Sequence, residues 1–139
     1  MKIDANALYD LKFIDNQYWL ATDNGLYIVS TDYKIIKHFN ESSLEPSTKI
    51  LSNKVRSIAQ LDDATIKDSA GKMWLGTNGG GINTFSALQL KINHGLFNYG
   101  DSGQSVYAFA ETSDGTIWFT TNNGQLNKID EFGKIQQAK

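Results

Sequence analysis

Cysteine is absent from the 139 residues, and proline occurs once, as Pro46. The missing thiols exclude a disulfide framework, an iron–sulfur site and a cysteine nucleophile, though they leave the compartment undecided. No charge of one sign is in excess: the net charge is −2, and no Lys/Arg cluster stands out. That disfavours nucleic acid as a main partner, because phosphate binding needs clustered cations. No run of apolar residues approaches the length of a membrane span, so no membrane insertion is expected of this segment. The opening MKIDANALYDLKF lacks the apolar stretch of a signal peptide. The expected location is therefore cytoplasmic for a complete protein, or exported for a piece of a longer one. What is present, 40% apolar and 20% charged residues, is the composition of a soluble globular domain.

Three stretches repeat. Trp19 opens WLATDNGLYIV, Trp74 opens WLGTNGGGINTF and Trp118 opens WFTTNNGQLNKI. A threonine follows each tryptophan by three positions (Thr22, Thr77, Thr121) and a glycine by six (Gly25, Gly80, Gly124). A repeat of about 40–50 residues points to an array or propeller built from one supersecondary unit. The units are expected at about 7–40, 51–98 and 104–138, within one segment spanning 1–139. Recurrence at one repeat position marks each tryptophan as a packing residue between units, with stacking on a ligand as the weaker reading.

Within the first unit, alternation and turn residues predict strands over Leu8–Phe13, Tyr18–Thr22, Leu26–Val29 and Lys34–Phe39. Glu41–Asn53 is the longest loop. Val55 and Val106 start the corresponding strands of the later units. Val106 to Trp118 spans twelve residues and Val55 to Trp74 nineteen, so Leu61–Lys67 reads as an insertion. Gly71 and Gly115 precede their tryptophans by three, where unit one has Asn16. A left-handed backbone accounts for all three, since asparagine tolerates that region best among side-chain-bearing residues. The last strand is expected near Lys134–Ala138, and helix content close to nil.

Candidate sites are few. His38 and His94 fall at equivalent outer-strand positions, with Ala138 expected in the third copy; divergence of neighbouring units keeps them from sharing a metal. Asp62, Asp63 and Asp68 do not have calcium-loop spacing. Gly79-Gly80-Gly81 is a turn, since no helix or Lys-Ser/Thr pair follows to make a phosphate cradle. No nucleophile and base pair at a recognisable spacing, so neither catalytic residues nor a cofactor is expected. Arg56 and Tyr107 share one repeat position, each following the first valine of its unit. Near an axial mouth they would hydrogen-bond and stack on a polar ligand such as a sugar; a solvated rim is the plainer alternative.

VRSIAQ…DSAGKMWLGTNGGGINTF resembles the two-component regulator propeller repeat, with an inner strand, an Asp-x-x-Gly-type turn, Trp-apolar-Gly-Thr and an Asn-Gly-Gly-type turn. Unit two is the nearest to that pattern; units one and three depart at Ala21 and Thr120, where it has glycine. The resemblance implies an all-β propeller from the periplasmic sensor region of a hybrid two-component system, with possible response to glycans. It implies a non-enzymatic sensor or ligand-binding role. A protein-interaction scaffold is the alternative, and a propeller lyase a more distant one.

Propellers have four to eight blades, and three four-stranded antiparallel blades are encoded here. The chain is thus expected to be an incomplete propeller completed by other blades of a longer chain, or half of a six-bladed ring formed by two copies. The homodimer is the favoured expectation, because exposed end faces promote association.

Overall fold

A computed structural model of the chain describes residues 1–61, 72–86, 91–97, 105–129 and 134–138. They form twelve strands in three antiparallel sheets of sequential order. Sheet one holds β1 (Leu8–Ile14), β2 (Gln17–Thr22), β3 (Gly25–Ser30) and β4 (Ile35–Phe39). Sheet two holds β5 (Val55–Leu61), β6 (Lys72–Thr77), β7 (Ile82–Ser86) and β8 (Lys91–Phe97). Sheet three holds β9 (Val106–Glu111), β10 (Ile117–Thr121), β11 (Leu126–Ile129) and β12 (Ile135–Gln137). The innermost strand β5 lies between β1 and β9, so the sheets stand side by side as propeller blades. The one helical turn among the described residues, Pro46–Thr48, sits in the loop between blades one and two. Apart from Leu61, which closes β5, the Leu61–Lys67 insertion lies outside the described residues, as do Asp62, Asp63, Asp68 and Gly71.

Strand alternation sends side chains to opposite faces of each blade. In β2, Trp19 and Ala21 face blade two, where they join Leu26, Ile28, Val55, Met73 and Leu75 in one buried cluster. In β6, Trp74 faces blade three and packs with Ile82, Val106, Phe119 and Ile129. The residue two places after each tryptophan sets how near the next blade comes. At Gly76 an added Cβ would lie 2.5 Å from the Ser57 hydroxyl and 2.8 Å from the Val106 carbonyl oxygen. Ala21, fully buried, holds the same register position in blade one. Thr120 holds it in blade three, on a face that no described element covers.

The threonine of the repeat has a local task. Thr22, Thr77 and Thr121 are buried, and each donates its hydroxyl across the following turn: to the carbonyl of Gly25 at 2.7 Å, Gly81 at 2.9 Å and Gln125 at 3.4 Å. The next residue then donates its amide to the segment before the innermost strand: Asp23 to Ala7 at 3.2 Å, Asn78 to Lys54 at 2.8 Å, Asn122 to Ser105 at 3.1 Å. Each blade thus fastens its second turn to its own entry strand. These bonds also show that the glycine six residues after each tryptophan is not one conformational position. Gly25 and Gly124 have φ of 93° and 75°, whereas in blade two the left-handed residues are Gly79 and Gly81. Gly80 is instead a close-approach residue, where a Cβ would meet the Thr77 hydroxyl at 2.8 Å and Leu51 at 3.1 Å. Asn16 and Gly115 both have positive φ, 58° and 79°.

Blade one carries a strap on its far face. Ile3 packs on Leu20, Tyr27 and Val29. The Asp4 carbonyl accepts from Asn24 Nδ2 at 2.6 Å and from the Tyr27 hydroxyl at 3.1 Å. The Asp23 carboxylate accepts from the amides of Asn6 and Ala7 at 2.9 and 3.1 Å. Those bonds, the Ala7 amide foremost, hold the Asp23 carboxyl below its ordinary value. In blade three the Asp114 carboxylate accepts from the Thr112 hydroxyl at 2.6 Å and the Thr116 amide at 3.0 Å, which lowers its pKa to about 2.

Two predictions follow from this geometry. Gly76→Ala should cost about 1–3 kcal/mol through overpacking, lowering the thermal midpoint by several degrees, while Thr120→Ala at the uncovered equivalent should stay within about 0.5 kcal/mol. Because Asp114 and Asp23 have lowered folded pKa values, their stabilisation is complete above the unfolded value of 3.8 and is lost as pH falls. The protection factor of the Thr116 amide, its exchange relative to the intrinsic rate at the same pH, should therefore fall between pH 3.8 and about 2, with the Asn6 and Ala7 amides following Asp23 in the same direction.

Candidate functional site: an arginine between two tyrosines at the blade axis

The innermost strands share one irregularity. Leu8 pairs with Thr22, Val55 with Thr77 and Val106 with Thr121; the register then skips one residue in each sheet. The skipped residues are Tyr9, Arg56 and Tyr107. A β-bulge leaves its extra residue unpaired and re-aims the side chain. Here three successive bulges deliver the three side chains to a cleft of about 330 Å³ that they line. The Arg56 guanidinium carbon sits 4.0 Å from the centre of the Tyr9 ring and 5.9 Å from that of Tyr107. Both distances are within cation–π range.

The arrangement joins a permanent cation to two half-exposed phenol rings. Arg56 Nε is shielded from solvent and has no hydrogen-bond partner among the described residues. The Asp10 carboxylate, next along β1, is engaged elsewhere: Oδ2 accepts from the Ile58 amide at 2.9 Å, Oδ1 from the Leu11 amide at 2.9 Å, and Lys12 Nζ lies 3.4 Å away. The cleft can thus offer N–H donors, hydroxyl groups and aromatic faces.

Arg56 and Tyr107, paired from their repeat position, are brought together. Tyr9 is the member that sequence reasoning missed. Its signal was the Leu8-Tyr9 pair, parallel to Val55-Arg56 and Val106-Tyr107. Counting back from the tryptophan hid it, because the first hairpin of blade one is a residue shorter than that of blade three. A second cleft of about 350 Å³ lies across the far ends of the innermost strands, between Lys12 and Glu111.

The other candidates are structural. Trp19 and Trp74 are buried between blades. Trp118 is half-buried on the uncovered face of blade three, with Lys128 Nζ 6.0 Å from its ring centre. The His38 ring stacks on Tyr27 at 3.9 Å, and its nitrogens face the Asn24 carbonyl at 2.6 Å and Asn40 Nδ2 at 3.3 Å. His94 pairs with Asn83 as His38 pairs with Tyr27; the third-blade counterpart is Gln137, opposite Asn127, and not Ala138. The His94 side chain lies outside the described residues. Among the described residues no group of three or more His, Asp or Glu is placed to hold a metal.

Residues 100–123, which span β9, the Asp114-Gly115 turn and most of the next hairpin, match the family described as two component regulator propeller. The chain carries a two-component regulator propeller repeat. The match falls on unit three, not on the middle unit where the resemblance is nearest by eye. No curated protein matches the chain. Among solved structures, the extracellular domain of the putative hybrid two component system BT3049 from B. thetaiotaomicron is similar over 96% of this propeller chain. It shares 17% identity with a TM-score of 0.69. The extracellular domain of the putative one component system BT4673 from the same organism is similar over the whole chain at 20% identity and TM-score 0.72. A second structure of the BT4673 extracellular domain, described as that of a putative hybrid two component system, gives 21% identity over 97% of the chain and a TM-score of 0.65. The three-bladed segment spans only 17–18% of those chains. At these identities the likeness is one of fold.

If the cluster is held by stacking, its members should depend on one another. Tyr9→Ala should loosen Arg56, speeding the solvent exchange of its Nε–H and so broadening that resonance in ¹⁵N NMR, with the blade cores unchanged by circular dichroism. An unaltered resonance would mean that the ring does not hold the guanidinium.

Proposed function

We propose that this chain is a segment of an extracytoplasmic sensor propeller, which binds a small polar ligand at its axis and does not transform it. The carrying observation is the convergence of Tyr9, Arg56 and Tyr107 from three blades through the same bulge. A ligand held there would touch three blades at once, and so could change their relative tilt or the packing of the assembly. The repeat match at 100–123 supports a place in two-component signalling. The similar solved structures, described as extracellular domains of such systems, support a position outside the cytoplasmic membrane, periplasmic in a two-membrane cell. A sugar suits donors combined with aromatic faces. Screening against a glycan panel tests this: a binder should lose affinity by about tenfold or more on Tyr107→Ala or Arg56→Ala, and unchanged binding in both variants would refute the axial site.

A second reading, assembly with further blades, is favoured by one comparison. Leu126 is 45% exposed on blade three, whereas its register equivalents Leu26 and Ile82 are buried at 0% and 2%. At the other end, Leu11 and Phe13 are 50% and 54% exposed beside the strap. A second copy would bring these two ends together and close a six-bladed ring. Light scattering across a concentration series should then give a dimer, and Leu126→Asp a monomer; a wild-type monomer at all concentrations would overturn the ring.

A further inference from the structure

We infer that the ligand of the axial cleft carries a single carboxylate on a ring, and that Arg56 takes the carboxylate edge-on. This rests on reading the cleft as the ligand site and specifies the ligand's chemistry. A guanidinium presents two flat faces and a rim of five N–H donors in one plane. The guanidinium carbon lies over the Tyr9 ring, 4.0 Å from its centre, and a guanidinium that stacks on a ring keeps its rim for hydrogen bonds. On that rim Nε is out of solvent and has no acceptor among the described residues. No described carboxylate forms an ion pair with the side chain; the described ion pairs are Lys12 with Asp10 and Lys34 with Asp32.

A cation fixed between rings, removed from water at one donor and left without a counter-ion, is selective for an anion, because desolvated charge is stable only when paired. A carboxylate fits the open end of the rim through two parallel N–H···O bonds, from the two terminal nitrogens beyond the shielded Nε. A phosphate dianion would call for more positive charge than the cleft has, since Arg56 is the one cation among its described lining residues. The exposed Tyr107 ring offers a face for the ring that bears the carboxylate. Sugar acids and aromatic acids share this chemistry.

The test is a ¹⁵N NMR titration of the chain, following the Arg56 Nε–H resonance, with sodium glucuronate, sodium benzoate, glucose and inorganic phosphate. At least one carboxylate should move that resonance downfield and bind about tenfold or more tightly than glucose. Glucuronate ahead of benzoate would identify a sugar acid, and the reverse an aromatic acid. Added salt should weaken binding. Arg56→Lys, which keeps the charge but loses the fork, should weaken it by a similar factor with the circular dichroism spectrum unchanged. Phosphate binding more tightly than either carboxylate would overturn the inference. So would glucose binding as tightly as glucuronate; if Tyr107→Ala then abolished both, the axial site would stand without the carboxylate. If no probe moved the Arg56 resonance, the carboxylate inference would fall, and binding of a panel glycan sensitive to Tyr107→Ala would still leave the site itself.

Discussion

A four-stranded sheet with apolar residues on both faces cannot bury both by itself, and every other feature of this chain depends on how that is solved. Here the solution is lateral. Trp19 and Trp74 turn the same face of successive sheets toward the next sheet, and Ala21 and Gly76 keep the gap narrow. The two internal interfaces therefore use one geometry with different residues. Blade two admits a backbone carbonyl and a hydroxyl close to its second strand, which needs glycine; blade one packs its full-sized neighbours against alanine. At the third position of this series Thr120 and Lys128 replace smaller or more apolar residues, and the tryptophan meets the Lys128 ammonium at 6.0 Å where no described sheet covers it. The departures from the repeat pattern are thus ordered along the chain by what faces them.

The same lateral stacking makes an axis. Adjacent innermost strands approach each other there, and a side chain aimed inward meets its counterparts from neighbouring blades. The bulges do the aiming. They sit one residue inside each innermost strand, beside the turn fastened by the repeat threonine, so a packing motif and the axial cluster are set by one local backbone path. Variation at this single position alters the chemistry of the axis without disturbing the interfaces, a separation of scaffold from site that recurs among proteins in which one fold serves many ligands.

Much of this was legible in the sequence because its causes are local. Alternation placed the strands, turn residues separated them, and the left-handed backbone at Asn16 and Gly115 could be read from residue type alone. The pairing of Arg56 with Tyr107 came from repeat position. What was not legible depends on register or on contact with distant residues. Tyr9 was hidden by a hairpin one residue shorter. Gly80 was read as a turn residue, whereas a Cβ there would meet both the Thr77 hydroxyl and Leu51, the latter 29 positions earlier in the chain. Gln137, not Ala138, stands opposite Asn127, because these partners are ten residues apart whereas Tyr27 and His38, and Asn83 and His94, are eleven apart. The strap over blade one left no periodic signal, as it contributes one apolar side chain and a set of backbone bonds.

That strap bears on how the two sides of the first sheet are closed. Its residues precede β1, and its partners, Leu20, Asp23, Asn24, Tyr27 and Val29, all come before residue 30. Blade one can therefore cover part of the strap's side with contacts close in sequence, whereas its other side waits for Val55, Met73 and Leu75 of the next blade. The two sides of one sheet are thus closed at different sequence separations, and Leu11 and Phe13 stay exposed beside the strap.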